Sequence, residues 1–126
     1  MTQIKMGQVQ LRIMRLLWKK QRATARELTE ELNKSEPIAH STVQTLLRQL
    51  EAKGSVAHEK EQRTFYFYPL VKEERVKKSA SRELIQNVFG GNVGGLVSYL
   101  LENERLSGDE LTEIRKLIDQ KKKNSK

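Results

Sequence analysis

Ser41, Thr42, Gln44, Thr45, Arg48 and Gln49 crowd hydroxyl, amide and guanidinium groups into one short stretch, HSTVQTLLRQL. Short or fork-shaped donors and acceptors of this kind pair with base edges in a DNA major groove when a rigid element carries them there. The other chemistries fail on spacing or on supply. Glu30-Glu31 and Glu73-Glu74 are adjacent pairs that point to different sides of a helix, so they read as solvated charges and not as an acid–base dyad. The chain has no cysteine and only His40 and His58, which excludes a thiolate site and argues against a histidine metal site within one chain. The run Gly90-Gly91-Asn92-Val93-Gly94-Gly95 has neither the Lys-Ser/Thr pair nor the dinucleotide spacing of a phosphate loop, and reads as a helix stop and a close-approach turn. No catalytic residue, metal or cofactor is expected, and an enzyme is the class least supported.

The polar residues need a helix to carry them. Val43, Leu46, Leu47 and Leu50 fall at i, i+3, i+4 and i+7, which makes one apolar stripe of a helix that stops at Gly54. The opposite face centres on Ser41, Thr45 and Arg48, with Thr42, Gln44 and Gln49 on its flanks. Any surface helix has a polar outer face, so the preceding segment decides. Thr24 and Glu27 form a capping box that starts a short helix with Ala25, Leu28 and Leu32 on one face, and Asn33-Lys34-Ser35-Glu36-Pro37 breaks it. Two helices joined by a short turn follow the helix-turn-helix plan. Upstream, Val9, Ile13, Leu16 and Leu17 repeat the period behind a weaker Gly7/Gln10 capping pair, with Trp18 as a packing residue.

After Gly54 the period changes from 3.6 to 2. Val56 begins a strand, TFYFY from Thr64 to Tyr68 alternates like a second one, and Pro69 stops it. Residues 58–63, His-Glu-Lys-Glu-Gln-Arg, are expected as the polar tip of the hairpin, with Lys60 and Arg63 as its cations. Glu59 and Glu61 beside them would oppose phosphate contact. The expected fold is therefore mainly α with a small β-hairpin wing: a winged helix-turn-helix over residues 1–70, a C-terminal helical dimerisation region over 71–120 and a flexible basic tail over 121–126.

The formal charge is +8 over 126 residues. Lysines and arginines outnumber acids by 12 to 7 in residues 1–70 but only by 12 to 9 afterwards, where Lys121, Lys122, Lys123 and Lys126 supply the surplus. A basic head suits a polyanionic partner. There is no long apolar run and residues 1–5 do not form a signal peptide, so a cytoplasmic protein without membrane insertion is expected.

The second half offers apolar stripes and no chemistry. Val76, Ala80, Leu84, Ile85 and Val88 line one side of a helix; Leu96 and Leu100 lie in a short apolar segment; Leu111, Ile114, Leu117 and Ile118 line a last helix. Ser107 with Glu110 caps that helix, and Leu106 with Leu111 staples it. Three short amphipathic helices cannot easily bury these faces within one chain. A second copy is the expected cover, through Val76, Ala80, Leu84, Val88, Leu96, Leu100, Leu111, Ile114 and Ile118.

The segments MGQVQLRIMRLLW, HSTVQTLLRQLEAKG, TFYFYPLV and NVFGGNVGGLVSYLLENERLSGDELTEIRKLI together resemble the BlaI/MecI penicillinase-repressor family of bacterial winged-helix regulators over nearly the whole chain. The resemblance implies a homodimeric repressor of operator dyads ahead of β-lactamase, penicillin-binding-protein or related stress genes. It implies release by cleavage in the dimerisation region, set off by a membrane sensor-transducer protease. It aligns Ser41, Thr42, Thr45 and Arg48 with operator-directed positions, and places Gln44 and Gln49 where some relatives carry Arg. Ser98-Tyr99 aligns with the cleaved bond, where staphylococcal relatives have Asn-Phe. The cysteine pairs of the copper-sensing branch are absent. Two other readings stay open: a ligand-responsive winged-helix regulator and a winged-helix protein adaptor. The Ser41, Thr45 and Arg48 face argues against the adaptor, which would expose apolar anchors there.

Overall fold

The computed structural model describes residues 6–125; the expectations for residues 1–5 and for Lys126 lie outside the described residues. Among the described residues, six helices and one antiparallel hairpin follow in the order α1 (Gln8–Lys20), α2 (Ala25–Asn33), α3 (His40–Ala52), β1 (Val56–Glu61), β2 (Thr64–Pro69), α4 (Glu73–Asn87), α5 (Val93–Asn103) and α6 (Gly108–Asn124). The chain divides into two compact units between Arg82 and Glu83.

The first unit closes around the apolar stripes of its three helices. Ile13, Met14 and Leu17 of α1, Leu28 and Leu32 of α2, and Val43, Leu47 and Leu50 of α3 are buried together with Ala23 and Val56. Burying a side chain of this size stabilises the fold by roughly 1.5–3 kcal/mol. Trp18 packs against this core and donates its indole N–H to the Val71 carbonyl at 2.9 Å, so it is a packing residue with its polar edge satisfied. The Thr24/Glu27 capping box is closed in both directions, and the Gln10 side chain reaches back to the Gly7 amide at 3.0 Å. Gly54 ends the turn after α3 at φ +80°, a conformation that favours glycine. Ser55 then accepts from the Leu70 amide at 2.8 Å, which ties the start of the hairpin to its end.

Three local expectations change. The polar residues 58–61 belong to β1, paired His58 with Phe67, Glu59 with Tyr66, Lys60 with Phe65 and Glu61 with Thr64, so the tip is only Gln62-Arg63. Gln62 takes the positive φ (58°) of that two-residue turn, where Asn-Gly or Asp-Gly would have signalled it. Lys60 thus stands on a strand while Arg63 stays at the tip. The glycine run is not one interruption: Gly90 and Gly91 turn the chain at φ +57° and +84°, but Gly94 and Gly95 lie in the first turn of α5. Asn92 caps that helix by accepting from the Gly95 amide at 2.9 Å. Finally, Lys121, Lys122 and Lys123, expected in a tail, form the last turn of α6, where cations complement the helix dipole.

The second unit contains the end of α4, then α5 and α6. Phe89 meets Tyr99 edge-on at 6.1 Å. The Ser107/Glu110 capping box opens α6. None of its described residues is buried.

Candidate nucleic-acid interface

One side chain braces the turn between α2 and α3. Asn33 donates to the carbonyls of Thr29 (2.7 Å) and Ile38 (2.9 Å) and accepts from the Ile38 amide (3.1 Å), so it stands in for backbone that the turn through Pro37 leaves unpaired. Thr29 Oγ1 lies 3.2 Å from His40 Nδ1, which joins α2 to the first residue of α3.

This turn presents the outer face of α3. Ser41, Thr42, Gln44, Thr45 and Arg48 are all exposed, opposite the buried Val43, Leu47 and Leu50. Arg48 donates to Thr45 Oγ1 at 3.2 Å, and that hydroxyl donates to the Ser41 carbonyl at 3.1 Å, so the guanidinium is steadied along the helix with donors left for a ligand. Gln49 is placed differently. Its Oε1 accepts from Gln10 of α1 at 3.0 Å, which turns this amide toward the helix packing and away from the Ser41, Thr45 and Arg48 line.

The wing has two distinct faces because side chains alternate along its strands. On the face toward α3, His58 Nδ1 lies 2.6 Å from Glu51 Oε1, and its ring sits 5.0 Å from Phe65 and 5.5 Å from Phe67. Lys60 shares that face, 5.7 Å above Phe65. Between α2, α3 and the wing lies an open groove of about 860 Å³, with Phe65 and Phe67 in its lining and Arg26, Arg48 and Arg63 around it. None of these three arginines makes an ion pair with a described residue.

The other wing face is gripped by Arg22. Its guanidinium reaches Glu59 at 2.6 Å, takes Glu61 by both oxygens at 3.0 Å each, and stacks 4.1 Å over Tyr66. The hydrogen bond to Glu61 and the charges of Glu61 and Glu59 raise the Arg22 pKa, and the same bond holds the Glu61 carboxyl below its ordinary value. Neither Arg22 nor Arg26 stood out in the sequence: Arg22 lies 37 and 39 residues from its partners, and no local periodicity links them.

In the C-terminal helices, Leu84, Leu100, Leu111 and Ile118 are exposed, as are Ala80 and Val88, while Leu96 and Ile114 are half-buried. Val88 lies beyond the end of α4. Val76 is buried within the single chain and has little surface left for a partner. Ser98 and Tyr99 sit inside α5, both exposed, with the Ser98 hydroxyl donating to Glu102 at 3.2 Å. Among the described residues no group of His, Cys, Asp and Glu is placed to hold a metal, and no helix is long and apolar enough to cross a membrane.

A three-helix core whose third helix exposes a hydrogen-bonding face beside a two-stranded wing, with Arg26, Arg48 and Arg63 around the groove between them, defines a winged-helix DNA-binding regulator. The penicillinase repressor family model matches residues 6–120, and the chain belongs to that family, one of transcriptional repressors and not of enzymes. It is 32% identical over 109 residues to the methicillin resistance regulatory protein MecI of Staphylococcus aureus (strain N315), covering 86% of this chain and 89% of that one. It is 30% identical over 117 residues to the penicillinase repressor of Bacillus licheniformis, covering 93% and 91%. The solution structure of monomeric Bacillus licheniformis BlaI in complex with the blaP half-operator is 30% identical, with a TM-score of 0.51, over 59% of this chain and 90% of that one.

Proposed function

We propose that this chain is a homodimeric repressor that grips an operator dyad with two copies of α3 and is released by proteolysis in α5. The observation that carries the DNA-binding half is the exposed Ser41, Thr45 and Arg48 line, backed by buried leucines and flanked by the Arg26, Arg48 and Arg63 groove. A relative with the same head was solved on a half-operator, which supports the same use of α3 here. Ser41, Thr42, Gln44, Thr45 and Arg48 read base edges in this proposal; Lys60 and Arg63 meet the flanking backbone. Gln49 takes the smallest part, because its amide oxygen is already occupied by Gln10.

The dimer reading rests on the second unit. Leu84, Leu100, Leu111, Leu117 and Ile118 are each at least 41% exposed, and an isolated pair of short helices without a buried residue cannot offset its own ordering entropy. A second copy of α4 to α6 supplies the missing cover, and two-fold symmetry matches a dyad. The relatives' names, a penicillinase repressor and a methicillin resistance regulatory protein, support a penicillinase or another antibiotic-resistance gene as the target. The deciding experiment is binding of the full chain to duplexes carrying one or two half-sites. Cooperative occupancy of the two-site duplex by two chains is expected; equal affinity per site with no coupling would defeat the dimer.

A further inference from the structure

We propose that Arg22 is a positioning residue for DNA recognition: it fixes the wing and cancels the two carboxylates that stand beside the wing's cations. The inference rests on the DNA-binding reading and assigns a part to a residue outside both α3 and the wing.

The backbone puts Arg22 where it can act. Gln21 turns the chain after α1 at φ 73°, and Ala23 then exchanges two backbone hydrogen bonds with Phe67, at 2.9 and 2.8 Å, as a one-residue third strand beside β2. From there the Arg22 side chain crosses β2 over the Tyr66 ring and ends on β1, where it joins Glu59 and Glu61. One planar fork therefore spans the width of the hairpin. An ammonium could not do this, since it lacks the flat surface for Tyr66 and the parallel donors for a two-oxygen grip on Glu61.

The electrostatic consequence is local. Glu59 and Glu61 alternate with Lys60 on β1, and Glu61 lies two residues from Arg63 at the tip. With Arg22 in place the wing region holds three cations against two carboxylates; without it the count is two against two, with both carboxylates unpaired on the face opposite Lys60, where their charge still acts across the thickness of one strand. Repulsion of that kind weakens backbone contacts and changes their salt dependence. Exposed ion pairs add little to folding stability, so the effect falls on DNA binding and not on melting.

The test uses the full chain and a duplex that it selects from a random pool, with binding followed by fluorescence anisotropy over a range of salt. Arg22→Ala is expected to bind about tenfold more weakly with a salt slope lower by about one unit, while its melting temperature changes little. Arg22→Lys recovers only part of the loss. The triple variant Arg22→Ala/Glu59→Gln/Glu61→Gln recovers most of it, because the repelling charges are gone. Wild-type affinity and slope in Arg22→Ala would overturn the proposal. So would a loss that the paired Gln changes do not rescue: with lowered melting, Arg22 is only a folding contact, and with unchanged melting, it touches phosphate itself. Selection of no duplex by the wild type would instead remove the DNA-binding reading, separately from anything Arg22 does.

Discussion

Glu51, in the last turn of α3, and His58, on β1, stand 2.6 Å apart, so the recognition helix and the wing are joined at one point on the groove between them. Arg22 grips the opposite face of the same hairpin. A two-stranded ribbon alone is marginally stable in water, and here each face has its own brace. His58→Ala is therefore expected to speed amide hydrogen exchange in β1 and β2 by several-fold, with the core amides of α1 and α3 unaffected. The stability lost is no more than about 1–2 kcal/mol, since the pair is partly exposed and the ring contacts are modest. Unchanged exchange in the hairpin would mean that the backbone ladder alone sets the wing.

On α3 itself, Arg48→Ala and Thr45→Ala are expected to cost roughly 1–3 kcal/mol each in binding to a preferred duplex. They should also relax base preference, because both leave the buried stripe of Val43, Leu47 and Leu50 intact. The two losses should not add fully, as Arg48 donates to the Thr45 hydroxyl and either substitution removes that shared contact. Gel-shift titration against matched and scrambled duplexes checks this. Gln49→Ala serves as the contrast: its effect should appear in melting, through the lost bond from Gln10, more than in base preference.

The parts of this architecture that follow from short spacings were legible in the sequence. Val43, Leu47 and Leu50 announce α3 by period, and Thr24 with Glu27 announces the start of α2, because both signals act within one or two turns of helix. The hairpin tip was misplaced because strand residues facing solvent on both sides are as polar as a loop, and only pairing with Phe65 and Phe67 reveals them. Gly94 and Gly95 hid the start of α5, since the Asn92 cap lies amid glycines that usually end helices. The Arg22 and Glu51 contacts could not be read at all. They depend on how the hairpin folds back across the helices, and no residue spacing encodes that.

The pairing of Arg22 with Glu61 predicts an acid-sensitive wing. Hydrogen bonding to the guanidinium, then its charge, lowers the Glu61 pKa in the folded chain. Folding is therefore favoured by this group above the unfolded carboxyl value, and the contribution is lost as pH falls through the lower folded value. A carboxyl-detected NMR titration should find Glu61 titrating below the ordinary range in the wild type and within it in Arg22→Ala. Glu31, held low by Lys34, should not respond to that substitution. An unshifted Glu61 in the wild type would show that the grip is lost in solution.

The division between Arg82 and Glu83 fixes where the head is separated from the C-terminal helices. Ending the chain after Arg82 keeps the buried Val76, whereas ending it at the foot of the wing would discard it. The shortened chain is expected to be a folded monomer by sedimentation, with far weaker binding to a two-site duplex, because the second half-site event is no longer intramolecular. A dimer that survives the truncation would put the interface in the head.

Cleavage at Ser98-Tyr99 faces a structural barrier, since both residues lie within α5 and their peptide groups belong to its hydrogen-bonded helix. A protease needs the chain extended, so the rate of cutting should follow the local opening of this helix. One feature keeps it easy to open: Gly94 and Gly95 stand in its first turn. Gly94→Ala is then an informative change. An added Cβ would meet only Asn92 Oδ1 at 3.5 Å, ordinary contact, and the substitution should favour the helix by roughly 0.5–1 kcal/mol. Gly95→Ala is less suitable, because its Cβ would come within 2.9 Å of the capping Asn92 side chain. If cutting proceeds through opening of α5, Gly94→Ala should slow it by about twofold to fivefold, with DNA binding by uncut protein unchanged. Timed digestion of the full chain, with the fragments weighed by mass spectrometry, measures both the rate and the bond. Cutting outside residues 93–103, or a rate indifferent to Gly94→Ala, would rule out release through the opening of α5.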